Sequence, residues 1–172
     1  MKDRLTHWRP AHAPPHPLAI GLTAALALAA ASCGGSNAMP VIDSGPLYSC
    51  ATETRAVPYE PNLMRTSSAG TYTAVLVKAD PAPPIKGDNT WTVRILDANQ
   101  MPVDGLSITP SANMPDHNHP PSAKPVVTPL GNGSYSMTPL YLFMAGFWEV
   151  TLTLQPAGGD KDSVVFPICI PS

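Results

Sequence analysis

Short runs in which apolar and polar residues alternate constrain the fold of this chain more than any other feature. The first such run is Thr90–Leu96 (TWTVRIL), where Trp91, Val93 and Ile95 share one face of an extended strand. Phe147–Leu154 (FWEVTLTL) alternates in the same way. A period of two residues is typical of half-buried β-strands, so we expect a protein built from sheets.

Turn-forming residues separate further short strands. We predict strands at Thr71–Ala79, Leu106–Thr109, Val126–Leu130, Ser134–Leu140 and Ser163–Ile170. The run Gly131-Asn132-Gly133 predicts a hairpin turn. The chain contains 22 prolines, which disfavour long helices, and no segment has a helical period. The predicted fold class is therefore all-β, an antiparallel β-sandwich of about seven strands, with large core residues at Trp91, Tyr135, Phe147 and Trp148.

The beginning of the chain has the pattern of an export signal. Three basic residues precede an apolar run at Leu18–Ala31, which is of signal-peptide length and short for a bilayer span. The run ends in AAS before Cys33, which resembles a bacterial lipobox. We predict a signal peptide at 1–32, lipidation of Cys33, a small and polar tether at 33–47, and a domain at 48–172. An ordinary signal cut near Ala31, or an uncleaved anchor, is the alternative.

The predicted location follows from these features. Gly34 lacks the acidic side chain that is associated with retention in the inner membrane, so we expect a lipid anchor in the outer membrane, facing the periplasm. From Cys33 onward the chain has seven basic and eleven acidic side chains, a net charge of −4. This charge and the lack of a basic cluster argue against nucleic acid as a partner.

Two cysteines remain if Cys33 carries lipid. Cys50 and Cys169 lie near the two ends of the predicted domain, and an even pair in an oxidising compartment predicts a disulfide. A bridge across more than a hundred residues would stabilise the fold by about 4 to 5 kcal/mol in the chain-entropy model. Two free buried thiols are the alternative.

Potential metal ligands are concentrated in Asn113–His119 (NMPDHNH). Removal of the signal peptide would leave only two histidines, His117 and His119, both in this stretch with Met114. In an extended segment, residues two apart project to the same side with their Cα atoms about 6 to 7 Å apart. Imidazole suits both oxidation states of copper, and thioether sulfur selects Cu(I). An exposed loop that binds nothing, and a zinc site that adds Asp116, are the alternatives.

Four segments together resemble the YtkA-like domain, which is related to the FixH family. They are WTVRILDANQMPVDGL, MPDHNH, GNGSY and LFMAGFWEVTL. The resemblance covers roughly Thr71 to Ile170 and implies a small immunoglobulin-like sandwich in an exported or membrane-anchored bacterial protein. It also implies copper binding or assistance in assembling copper-containing respiratory oxidases. FixH itself has a membrane helix, whereas this chain has the pattern of a lipid anchor.

The resemblance adds Met144, which lies before Gly146 at the corner where members of the family carry a matching methionine. The predicted copper ligands are therefore His117, His119, Met114 and Met144, with Met137 as a weaker candidate. Core packing is the alternative role for Met114 and Met144. A blue-copper site is excluded if both remaining cysteines are in the disulfide, because such a site needs a thiolate.

We find no catalytic constellation and no phosphate-binding loop, so we expect the protein not to be an enzyme. The expected function is to hold copper, as Cu(I) or Cu(II), or to pass it to an envelope copper protein or a respiratory protein. The alternative is an interaction module of the envelope that binds no metal, or an accessory subunit of a redox complex bound through its strand edges.

Overall fold

The computed structural model describes residues 48–117 and 123–172. The predicted signal peptide, Cys33, the tether and His119 lie outside the described residues. Eight strands follow a 3₁₀ turn at Cys50–Thr52. The strands are β1 (Leu63–Thr66), β2 (Tyr72–Asp80), β3 (Gly87–Asp97), β4 (Ser107–Asn113), β5 (Val126–Gly131), β6 (Ser134–Leu142), β7 (Gly146–Gln155) and β8 (Asp162–Ile170). Within the described ranges, no helix is long and apolar enough to cross a bilayer.

The strands form two antiparallel sheets. One sheet has the order β1-β2-β3-β6-β5 and the other the order β4-β7-β8. The all-β sandwich predicted from the sequence is confirmed, with eight strands instead of about seven. The added strand is β1, a four-residue edge strand that pairs with β2 from Leu63 opposite Leu76.

The alternating runs form the core as predicted. Trp91, Val93 and Ile95 of β3 are fully buried, and their neighbours along the strand are partly exposed. In the second sheet, the buried residues of β7 face them across the sandwich. The rings of Trp91 and Phe166 meet edge to face, with centroids 5.7 Å apart. Burial of each such side chain stabilises the fold by roughly 1.5–3 kcal/mol.

Tyr135, also predicted as a core residue, has a second role. Its hydroxyl donates to the carbonyl of Val103 at 2.9 Å and accepts from the amide of Leu106 at 3.1 Å. These bonds hold the connection between β3 and β4 against the core. Two backbone groups at the core edge are thereby paired, which avoids the free-energy cost of leaving them buried without a partner.

The hairpin between β5 and β6 also follows the prediction. All three residues of Gly131-Asn132-Gly133 have positive φ. A side chain at Gly133 would collide with the backbone, because its Cβ would lie 2.6 Å from the carbonyl oxygen of Ile95. This position therefore requires glycine for both its conformation and its close approach to β3.

The pairing of β7 brings three segment ends together. Gly146, at the start of β7, pairs with Ile170 at the end of β8. Glu149, three residues later, pairs with Asn113 at the end of β4. The segment that follows β4 therefore leaves the sheet beside the first residues of β7 and the last residues of β8.

A disulfide joins Cys50 to Cys169, as predicted, with the two Cα atoms 5.7 Å apart. The bond ties the segment before β1 to β8 across 119 positions of sequence. It lies at the same end of the sandwich as the exit of β4, because Cys169 pairs with Phe147 near the start of β7.

Candidate metal site

The segment after β4 turns back on itself at Met114–His117. The amide of His117 donates to the carbonyl of Met114 at 3.1 Å, which closes a turn around Pro115 and Asp116. Pro115 fixes its own φ and cannot donate a hydrogen bond, so it lowers the entropy lost when the turn orders. The side chain of His117 is exposed, while His119 lies outside the described residues.

Met114 is anchored in the protein at the edge of the core. Its side chain is only 1% exposed. Its terminal methyl group lies against Gly146, so closely that a Cβ on that glycine would be 2.5 Å from it. Gly146 has a φ of +141°, a region that side-chain-bearing residues rarely adopt. The conformation and the lack of a side chain at Gly146 together make room for the thioether.

Met144 lies at the same end of the sandwich, in the connection between β6 and β7; we call this connection, with the turn at Met114–His117, the corner. It is two positions before Gly146, so its Cα is within about 7 Å of the glycine that Met114 contacts. Its side chain is 36% exposed, which excludes it from the core. Its carbonyl accepts a hydrogen bond of 3.0 Å from the indole nitrogen of Trp148. Trp148 is itself buried and therefore fixes the backbone of Met144 from below.

Met137, the weaker candidate, is in a different environment. It is fully buried on β6, where it pairs with Trp91 on one side and Val127 on the other. This position makes Met137 a core residue and separates it from the corner formed by Met114 and Met144. Cys33, the predicted lipidation site, lies outside the described residues.

Sequence reasoning missed the partner of Asp116. Both oxygens of this carboxylate accept from the guanidinium group of Arg55, each at 2.7 Å. The pKa of Asp116 is lowered, chiefly by the hydrogen bonds from Arg55. No local signal could reveal this contact, because 61 positions separate the two residues.

Arg55 also binds Glu53 and covers an aromatic ring. The guanidinium donates from Nε and Nη2 to the two oxygens of Glu53 at 2.9 and 2.7 Å. These hydrogen bonds, with one from the Arg55 amide, lower the pKa of Glu53 to about 2. The Cζ atom of Arg55 lies 4.3 Å above the ring of Phe147, which is cation–π geometry.

Aromatic rings support the other side of the corner. Phe143 meets Trp148 edge to face at 5.2 Å and stacks against Tyr141 at 6.3 Å. Tyr141 is 40% exposed, so these contacts extend from the surface to the buried indole beneath Met144. Such contacts hold the connection between β6 and β7 in one arrangement.

Three of the four predicted ligands, His117, Met114 and Met144, lie in this turn or just before β7. Imidazole with thioether is a donor set that favours copper over harder ions. Among residues 48–117 and 123–172, no three His, Cys, Asp or Glu side chains are grouped to hold a metal ion. Asp116 is engaged by Arg55, which weakens the zinc alternative that needs its carboxylate. The disulfide leaves neither Cys50 nor Cys169 as a thiolate ligand.

Comparison with known proteins identifies the family. The family model for YtkA-like proteins matches residues 66–153, from the end of β1 into β7. No functionally curated protein matches the chain. Among solved structures, the crystal structure of FetP from uropathogenic E. coli strain F11 is similar, with 15% sequence identity and a TM-score of 0.35. That match covers 69% of this chain and 95% of FetP. Because the family model spans half of the sequence, this chain belongs to the YtkA-like family.

Proposed function

We propose that this protein binds one copper ion through His117, His119, Met114 and Met144, and that it holds the ion or hands it on within the cell envelope. The observation that supports this is the packing of Met114 on Gly146. Gly146 follows Met144 by two positions, and Met114 precedes His117 by three. Met114, which packs there, also begins the turn that carries the exposed His117.

Each proposed ligand has a distinct part. His117 supplies a nitrogen donor at the surface, and His119, placed by sequence alone, would supply a second. Met144 is exposed enough to reach an ion from solvent. Met114 is anchored by its packing and would supply the sulfur that closes the site from the protein side. Exposed and buried ligands together allow an ion to enter and leave without unfolding.

The setting of this site is part of the proposal. We propose an exported protein, held by lipid at Cys33 in the outer membrane and facing the periplasm, whose partner is an envelope copper protein or a respiratory protein. We propose no catalytic activity. The proposed site binds an ion reversibly through its side chains. Nucleic acid is not among the proposed partners.

Competition titration tests the copper site. The processed protein, from Cys33 onward, is titrated with Cu(I) against a chromogenic chelator, and we expect one equivalent to bind. His117→Ala combined with His119→Ala should abolish this binding. Met101→Leu is a matched control, because Met101 is 61% exposed and lies after β3, at the far end of that strand from the corner. Full affinity in the double histidine variant would remove the proposed site.

A second function, a metal-free interaction module or an accessory subunit of a redox complex, is favoured by one observation. Strand β5 is the edge of its sheet and exposes Val126 and Leu130, at 65% and 57%. An edge strand with exposed apolar side chains can pair with another chain. An unchanged melting temperature on addition of copper would favour this function over copper binding, since a ligand that binds the folded state raises its stability.

A further inference from the structure

The segment before β1 is fixed to β8 at two points. Cys50 is bonded to Cys169, and the amide of Val57 donates to the carbonyl of Pro167 at 2.8 Å. Arg55 lies between these two attachments. Its backbone is therefore held in place by the last strand of the sandwich, independently of the segment that follows β4.

From this position the side chain of Arg55 reaches the turn that carries His117. Its two terminal nitrogens bind the two oxygens of Asp116, each at 2.7 Å. Glu53 and the ring of Phe147 hold the other edge and one face of the guanidinium group. Because the planar guanidinium group is held on three sides, it fixes both the direction and the distance of the carboxylate that it binds.

The turn is thus attached to the domain at two successive places. Met114 is anchored by burial against Gly146, and Asp116 is anchored by Arg55. His117 is the next residue, and its amide is bonded back to Met114. The backbone of the turn is therefore held against the domain on both sides of Pro115.

We propose that Arg55 is a positioning residue for the candidate copper site, holding the turn at Met114–His117 so that His117 and the two methionines face one ion. This inference rests on the proposed copper function. The ion pair is nearly half exposed, at 46% for Arg55 and 42% for Asp116, and exposed pairs contribute little to stability. Loss of this contact alone, as in Asp116→Asn, should therefore change metal affinity much more than folding.

The test compares Arg55→Gln, Asp116→Asn and the double variant of the full chain by Cu(I) competition. Each single variant should bind Cu(I) about tenfold more weakly, and the double variant no more weakly than either, since the two residues act through one contact. Arg55→Lys keeps the positive charge but loses the two parallel hydrogen bonds to Asp116. Its Cu(I) affinity should therefore lie between those of Arg55→Gln and the parent. Lys161→Gln, which removes an exposed cation in the turn before β8, should bind as the parent does. Additive losses in the double variant would overturn the proposal.

A second readout separates this inference from the copper function. In the metal-free protein, ¹⁵N relaxation should show faster motion of Asp116 and His117 in Arg55→Gln, with Lys161→Gln unchanged. If the parent binds no copper, the proposed function fails, and the relaxation data alone decide whether Arg55 positions the turn. Unchanged relaxation in a folded Arg55→Gln variant would overturn the positioning role.

Discussion

The methyl group of Met114 lies where a side chain on Gly146 would be. The distance from that methyl carbon to an ideal Cβ on Gly146 is 2.5 Å, well below a van der Waals contact. The start of β7 and the turn after β4 are therefore fitted to each other at one atom. The candidate site depends on this fit, because it places the side chain of Met114 beside the start of β7, two positions after Met144.

Gly146→Ala should destabilise the protein by about 2 kcal/mol, since it combines a collision with an unfavourable φ. Gly158→Ala is the matched control, because Gly158 also has a positive φ but no atom near its Cβ position. Midpoints of urea unfolding measure both changes. Adding Met114→Ala to Gly146→Ala should cost less than the sum of the two single changes. Equal costs for the two glycine variants would mean that Met114 can move aside freely.

Substitutions of Met114 and Met144 should differ in their effect on the stability of the protein, but both should weaken copper binding. Met114→Ala should lower the free energy of unfolding by about 2–4 kcal/mol because it empties a packed position. Met144→Ala should lower it by less than about 1 kcal/mol, since the side chain is partly exposed. Leucine nearly conserves the volume, so Met114→Leu and Met144→Leu should keep the fold and weaken Cu(I) binding. Unchanged Cu(I) affinity in both leucine variants would assign the methionines to packing alone.

Removal of the disulfide should cost much of the stability of the domain. Replacing both cysteines by serine opens a loop across 119 positions, which the chain-entropy model values at about 4 to 5 kcal/mol. We expect a loss of about 2–5 kcal/mol, measured by guanidinium unfolding. Parent protein unfolded with a reductant present should show the same midpoint as the serine variant. A midpoint shared by the oxidised parent and the serine variant would contradict the prediction.

Acid should weaken the contacts of Glu53. Its pKa is lowered from 4.5 to about 2, so its contribution to stability is complete above about pH 5 and is lost as the pH falls toward 2. Glu53→Gln should therefore melt at a lower temperature than the parent at pH 7, and the difference should shrink steadily between pH 5 and pH 2. Thermal unfolding followed by circular dichroism measures this. A difference that stays constant across this range would show that the Glu53 charge is not involved.

Most of the fold could be predicted from local patterns. The alternation of Trp91, Val93 and Ile95 predicts which face of β3 is buried, because only strands have a period of two. The glycines of Gly131-Asn132-Gly133 predict the hairpin, since they accept positive φ. Strand β1 was missed because four residues are too few for a periodic signal, and its pairing depends on β2.

The site could be predicted only in part. The order of histidines and methionines in Asn113–His119 indicates metal-ligand chemistry, but it carries no information on what holds the turn in place. The partner that holds it is Arg55, and the two segments meet only because the disulfide and β8 bring them together. Long-range ion pairs of this kind depend on the completed fold and have no sequence periodicity.

The amide of Tyr48 donates to the hydroxyl of Ser172 at 2.6 Å, so the first and last described residues of the domain meet beside the disulfide. The turn at Met114–His117 lies at this same end of the sandwich. An affinity tag appended to Ser172, above all one rich in histidine, would therefore hang beside the residues whose metal content is being assayed and compete with them for copper. Recombinant protein for such assays needs a cleavable handle, removed before any metal is added.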